Sequence, residues 1–292
     1  MKVGFIGAGK MGFTLGKHMT DHGITVGGYY SKTLKSAMEA AEFTNSHCYR
    51  SLTELVNGND IIFITVPDGQ IAVMADTLDR LEADLSGKII CHTSGAYSSQ
   101  VFSGMDSQVY GYSIHPIYAV NSKTESYINF NQAYITIEGN DARIDVMTDM
   151  FKGMGHQVKI ISARDKVKYH GAAVFASNLV IGLYHKSMKL MMDCGFSEAE
   201  AEDALKPLFE NNANNLIKKG CADALTGPVE RCDISTVKKH IDALADNPDE
   251  LLVYKLLSSE LIEIAGLKHS HEGKNNSVNK DGYEELKRLL SS

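Results

Sequence analysis

MKVGFIGAGKMG, residues Met1 to Gly12, decides how the rest of the chain is read. A short apolar run (Val3, Phe5, Ile6) leads into glycines at 7, 9 and 12, the spacing G-x-G-x-x-G. From Lys10 to His22 the pattern is helical, with Met11, Leu15 and Met19 four apart, and Ile24 to Tyr30 reads as a second strand. Each glycine has its own task. Gly7 makes the tight turn out of the strand, Gly9 lets a pyrophosphate rest against the backbone, and Gly12 lets helix and strand pack closely. The phosphates then meet free N–H groups at the positive end of the helix dipole. Glycine-rich turns are common, but one set between a strand and a helix reads as a dinucleotide turn. The expected cofactor contacts here are Gly7, Ala8, Gly9, Lys10, Met11 and Gly12.

The second strand indicates which dinucleotide. NAD sites usually carry an acid at its end to bind the ribose 2′-hydroxyl. Here the strand runs into Ser31-Lys32-Thr33, two hydroxyls and a cation where a 2′-phosphate would lie, which reads as NADP. The plainer reading is a polar helix start with Ser31 as N-cap. Ile61 to Val66 is continuous and β-branched, as expected of a parallel strand covered on both faces. The turn after it brings Val66 and Pro67 to the nicotinamide half of the cofactor.

Composition narrows the class. A net charge of −7 with no basic run argues against nucleic acid or an anionic membrane as partner. No apolar stretch approaches the roughly 20 residues of a membrane span. The glycines interrupt any signal-peptide pattern at the N-terminus. Five scattered cysteines without a C-x-x-C fit reduced thiols in a cytoplasm. His269 and His271 lie in a polar tail without a third ligand at metal spacing, so no metal is expected.

Further strands are expected at 88–93, 110–115, 134–138 and 157–161, with a helix from Ala142 to Lys152. After Ser162 the strand signals stop. Arg164 to Met192 reads as one long helix with a broad apolar face, followed by helices at 197–218, 234–244 and 250–266 and a short one at 283–290. The expected fold is therefore α/β, an N-terminal Rossmann dinucleotide-binding domain (1–162) followed by an all-helical domain (163–292) that serves substrate and dimerisation. A helix so apolar suggests a homodimer packed through the helical domains.

Several groups carry a resemblance: Gly7-Ala8-Gly9-x-x-Gly12, Val66-Pro67-Asp68, His92-Thr93-Ser94-Gly95, Ser113-Ile114-His115-Pro116, Tyr169-His170 through Ala176-Ser177-Asn178, and Leu225-Thr226-Gly227-Pro228-x-x-Arg231-x-Asp233. The chain resembles the superfamily of 6-phosphogluconate and β-hydroxyacid dehydrogenases, pyrroline-5-carboxylate reductase and ketopantoate reductase. Within it, the chain is most similar to two-domain proteins that join a Rossmann-like domain to a domain of unknown function. Some of these are an alternative form of ketopantoate reductase, acting in pantothenate biosynthesis. The resemblance implies an NADPH-dependent reductase of a small 2-oxo acid, with 2-dehydropantoate as the favoured substrate.

Relatives place a catalytic Lys on the first interdomain helix, with Asn four or eight residues on. Counting back from Asn178 puts His170 at the Lys position and Val174 at the middle Asn. An imidazolium can protonate the alkoxide formed by hydride transfer. On one continuous helix His170 and Asn178 would stand roughly 12 Å apart along the axis. His170 would touch the carbonyl oxygen, and Asn178 a distal hydroxyl or carboxylate. The plainer reading of His170 is a buried structural histidine, and Lys166 or Lys168 is an alternative cation. Ser94 (with Gly95), His115 and Arg231 are candidate substrate contacts; their plainer readings are a turn, a sheet cap and a structural bridge to Glu230 or Asp233. Two other functions fit the pattern: reduction of a C=N bond, as in pyrroline-5-carboxylate reductase, and an NADP-binding sensor without turnover. The active site is expected in the cleft between the domains.

Overall fold

The computed structural model describes residues 1–105, 108–271 and 280–291, excluding the side chains of Ser270, His271 and Lys280. The chain divides into two compact units, Met1–Ser177 and Asn178–Ser292.

The first unit alternates strand and helix: β1 (Lys2–Ile6), α1 (Lys10–Asp21), β2 (Thr25–Tyr30), α2 (Leu34–Phe43), β3 (His47–Cys48), α3 (Leu52–Gly58), β4 (Ile61–Ile64), α4 (Ile71–Asp79), β5 (Ile89–His92), β6 (Tyr110–Ile117), β7 (Tyr134–Gly139), α5 (Ile144–Gly153), β8 (Val158–Ile160) and α6 (Lys166–Phe175). The strands form one sheet in the order β3-β2-β1-β4-β5-β6-β7-β8. All neighbouring pairs are parallel except β6 and β7. This is the α/β Rossmann-type arrangement expected from the sequence. The order reverses at β1, between β2 and β4, and a crevice opens at the carboxyl ends of strands where such a reversal falls. β4 is buried along its whole length, as its unbroken β-branched run requires. Phe5 stacks on Tyr29 and Phe63 at 5.0 and 5.7 Å between ring centroids, tying β1 to both neighbours.

The second unit is helical: α7 (Asn178–Asp193), α8 (Glu198–Ala224), α9 (Ile234–Ala243), α10 (Pro248–His271) and α11 (Lys280–Ser291). Ser197 opens α8 with a capping box to Glu200. Val229, Val237, Ile262, Leu286 and Leu290 form its buried core.

The expected helix from Arg164 to Met192 is not continuous. It is two helices, parted at Ala176 and Ser177. The Ser177 amide bonds the Val174 carbonyl at 3.2 Å, three residues back, and its hydroxyl takes the Ala173 carbonyl at 2.7 Å. A tightened turn with a side chain on the i−4 carbonyl takes the backbone off the α path. His170 and Asn178 therefore lie on different helices, and the axial spacing of a single helix does not apply to them.

Among the described residues no helix is long and apolar enough to cross a membrane. His271's side chain lies outside the described part of the chain. His269 Nε2 stands 3.9 Å from Glu230, and no cluster of three His, Cys, Asp or Glu side chains suited to a metal occurs among the described residues.

Candidate active site

The glycine turn folds as its spacing demands. Gly7 sits at φ +109°, and a Cβ there would lie 2.8 Å from the Thr65 carbonyl. A Cβ on Gly12 would lie 2.6 Å from the Gly7 oxygen, so α1 and β1 touch through backbone. At Gly9 the nearest atom to a Cβ is 4.0 Å away, leaving open space. Gly9 is the N-cap of α1, without a side-chain cap and with no acid in the first turn. Free N–H groups thus face a gap of the kind a phosphate fills. A dinucleotide pyrophosphate fits these residues.

Beside it, β2 ends at Tyr30 and leads into Ser31, Lys32 and Thr33. Thr33, not Ser31, holds the N-cap position of α2, and its hydroxyl donates to Ser36 at 2.8 Å rather than to the helix backbone. Lys32 is exposed and makes no ion pair among the described residues. Val66 is half-buried and Pro67 exposed at the end of β4.

The end of β5 is tightly ordered. His92 is fully buried, accepting from the Ser94 amide at Nδ1 (3.3 Å) and meeting the Ser98 carbonyl with Nε2 (3.2 Å). An amide only donates and a carbonyl only accepts, so His92 is neutral with its proton on Nε2. Burial pulls its pKa to about 4. The Ser94 hydroxyl donates to Asp68 at 2.7 Å and accepts from the Ala96 and Tyr97 amides, both at 3.1 Å. It orders the turn, and a ligand there would have to displace one of these bonds.

Gly95 follows, and two imidazoles meet over it. A Cβ on Gly95 would lie 2.3 Å from His170 Nδ1 and 2.9 Å from His115 Nε2. The two rings stand edge to face at 5.6 Å. His115, on β6, holds its Nδ1 2.6 Å from the Tyr169 hydroxyl. Thr136, opposite it on β7, has its hydroxyl 3.0 Å from Tyr169 Oη and 3.2 Å from the His115 carbonyl. Burial first, then the charges of Lys166, His170 and His92, push the pKa of His115 down to about 3.

Two buried polar atoms here have no hydrogen-bond partner among the described residues: His170 Nδ1 and Lys166 Nζ. Lys166 is 1% exposed. Burial draws its pKa down to about 8, against the opposing pull of Glu138 and Asp68. Glu138 is itself buried, accepting from the Ser99 amide and hydroxyl, each at 2.7 Å.

The first unit thus gathers Ser94, His115 and His170, the candidates the sequence offers, with Lys166, Tyr169, Thr136 and Asp68, whose placement beside them the sequence does not show. One signal for Thr136 does exist. It alternates with Glu138 inside the apolar strand Tyr134–Gly139, which puts two buried polar groups on one sheet face.

Asn178 and Arg231 belong to the second unit. Asn178 is exposed at the start of α7. Arg231 is also exposed, and among the described residues it makes no salt bridge to Glu230 or Asp233, although its charge is among the causes that lower the Asp233 pKa. Glu230 pairs with Lys268 at 3.1 Å, and Asp233 caps α9 through the Thr236 amide (3.0 Å) and hydroxyl (2.7 Å).

Residues 1–116 match the family model of a Rossmann-like domain, and residues 133–261 that of a domain of unknown function, DUF2520. The chain carries these two domains in tandem. No curated protein matches it in sequence. Among solved structures, this Rossmann–DUF2520 chain is similar to a Thermotoga maritima protein at 22% identity, covering 91% of this chain and 99% of that one, with a TM-score of 0.74. A Bacteroides fragilis protein provisionally assigned as an NADP oxidoreductase also has 22% identity, covering 90% and 98%, with a TM-score of 0.69. An Aspergillus terreus reductive aminase in complex with NADPH has 15% identity, covering 99% and 92%, with a TM-score of 0.60. Likeness at these identities establishes the fold.

Proposed function

We propose that the chain is an NADPH-dependent reductase of a small 2-oxo acid, with 2-dehydropantoate (ketopantoate) as its substrate. The observation that carries this reading is the pair of imidazoles over Gly95, at the carboxyl end of the sheet that also bears the open glycine cradle. The NADP-linked proteins of the same fold support it, as does the resemblance of the motifs.

When bound, NADPH supplies a hydride to the substrate's carbonyl carbon. The chain does the rest. The amides of the Gly7–Gly12 turn hold the pyrophosphate, and Ser31, Lys32 and Thr33 hold the 2′-phosphate. Val66 and Pro67 border the nicotinamide. His170 donates a proton to the developing alkoxide. Its Nδ1 is packed against Gly95, so Nε2 delivers the proton. On the second unit, the exposed Asn178 and Arg231 offer an amide and a guanidinium to a polar ligand group. The reading includes a homodimer, because α7 buries none of its residues within the chain although much of it is apolar.

The test follows NADPH oxidation by absorbance with 2-dehydropantoate, with NADH and with 1-pyrroline-5-carboxylate in parallel. Turnover of the 2-oxo acid favouring NADPH is expected. Lys32→Ala should erase the cofactor preference. His170→Ala should lower kcat by at least about 100-fold with NADPH binding kept. Turnover of the imine alone would replace the substrate class, and unchanged kcat in His170→Ala would remove that residue from the chemistry.

A further inference from the structure

Lys166 breaks three local rules at once. It is an ammonium only 1% exposed, its Nζ has no hydrogen-bond partner among the described residues, and it is the first residue of α6, the end of a helix that disfavours a cation. Burial draws its pKa down to about 8, which still leaves it charged at neutral pH. The two carboxylates whose pull opposes that shift are engaged elsewhere. Glu138 accepts from the Ser99 amide and hydroxyl, each at 2.7 Å, and Asp68 accepts from the Ser94 hydroxyl at 2.7 Å. Neither bonds the ammonium. A residue that goes against burial, pairing and helix polarity together belongs to a working site more than to a scaffold.

The surroundings indicate the ligand. Lys166 stands one turn before His170 on α6, so the two side chains share a helix face. Its Nζ lies 6.0 Å from the centre of the Tyr169 ring, whose hydroxyl meets His115. Its charge is felt at His115 and His92, both of which burial keeps neutral. Those two imidazoles can hydrogen-bond an anion but bring it no charge. A buried charge is screened far less than one in water, so it attracts an anion without touching it.

We propose that Lys166, an unpaired ammonium near His115 and His170, is the counter-charge for the carboxylate of a 2-oxo acid, and so selects keto acids over uncharged ketones. This rests on the reductase reading above. Because the field acts through space, Lys166 stays buried while the carboxylate stays at the Gly95 turn. The cofactor's phosphates have their own amides at Gly7–Gly12, which leaves the substrate's anion for this charge. In a 2-oxo acid the carboxylate is bonded directly to the carbonyl carbon. The charge that draws the substrate in therefore also brings its ketone to the imidazoles.

The experiment compares kcat/KM for 2-dehydropantoate and for 4-hydroxy-3,3-dimethylbutan-2-one, in which a methyl replaces the carboxylate. Lys166→Met keeps a long side chain and removes the charge. It should lower the preference for the acid by at least about 30-fold, the scale of losing one partner of a buried charge pair. It should also raise the thermal midpoint of the unliganded chain by about 2 °C or more, because an apolar group replaces an unpaired buried charge. An unchanged preference would remove Lys166 from substrate selection. A lowered midpoint, or a chain that no longer folds, would make the ammonium a structural partner of Glu138 and Asp68. Either result overturns the proposal. If neither compound is reduced, the reductase reading fails, and oxamate decides this one. Oxamate carries a carboxylate beside a carbonyl that a nicotinamide does not reduce. With NADP present, it should raise the thermal midpoint of the wild-type chain and not that of Lys166→Met. Equal shifts in the two chains, or none in either, would overturn the counter-charge.

Discussion

Gly9 and Gly12 are the same residue three positions apart, and the fold uses them in opposite ways. A methyl on Gly12 would press into the Gly7 carbonyl, whereas a methyl on Gly9 would meet only open space, on a backbone (φ −83°, ψ −172°) that alanine adopts freely. Gly12→Ala should lower thermal stability by an amount typical of overpacking, about 1–3 kcal/mol. Gly9→Ala should keep its thermal midpoint and lose NADPH affinity by at least about tenfold, measured by fluorescence titration. Full NADPH affinity in Gly9→Ala would remove this turn from the cofactor site. The cradle is legible in sequence because the spacing of its glycines is itself the chemistry. The surroundings of His115 are not legible, because its partners stand 21 and 54 residues away and meet it only when β7 and α6 are in place.

At the scale of elements, the strands and most helices follow from periodicity, and the exceptions have local causes. β3 is two residues long, too short for any alternation to show. The break between α6 and α7 rests on one serine hydroxyl, which sequence periodicity does not register. A pair of histidines clamps α1 to the turn after α5. His156 donates from Nδ1 to the Ala133 carbonyl at 2.9 Å and so accepts at Nε2 from His18 Nε2, 3.0 Å away, beside Phe130. Both rings are neutral in this arrangement. Burial, then the neighbouring imidazoles, holds the pKa of His18 at about 4, below the ordinary value of 6.5. The unfolded chain therefore binds more protons between these values, and stability present above pH 6.5 is lost as pH falls toward 4. Denaturant unfolding at pH 7.5 and 5.0 should show a loss of about 1–2 kcal/mol from His18, much of it absent in His18→Gln. Equal stability at the two pH values would mean that the clamp accepts a proton without strain.

For the molecule as a whole, the exposed apolar surface of the second unit is the largest unexplained feature. Ile181 on α7, Ile217 on α8 and Leu256 on α10 are 70%, 82% and 63% exposed. Exposed apolar side chains on three helices suit the dimer proposed above. Sedimentation should give twice the chain mass of 32.0 kDa, and Ile181→Glu should return it to one. A wild-type monomer would end the dimer reading. The sequence pattern marks 162 as the end of strand character, and β8 does finish at Ile160, whereas the compact units part between Ser177 and Asn178. Packing rather than periodicity draws that second line. The direction of β7 has a last consequence. It runs against β6, so the segment 118–133 leaves and re-enters the sheet on the rim that holds His115, while Asn140 to Arg143 turns on the opposite rim. Surface loops tolerate insertion and carry specificity where they border a site. If the reductase proposed above is correct, loop grafts at 118–133 should shift kcat/KM among 2-oxo acids, and grafts at 140–143 should leave it unchanged.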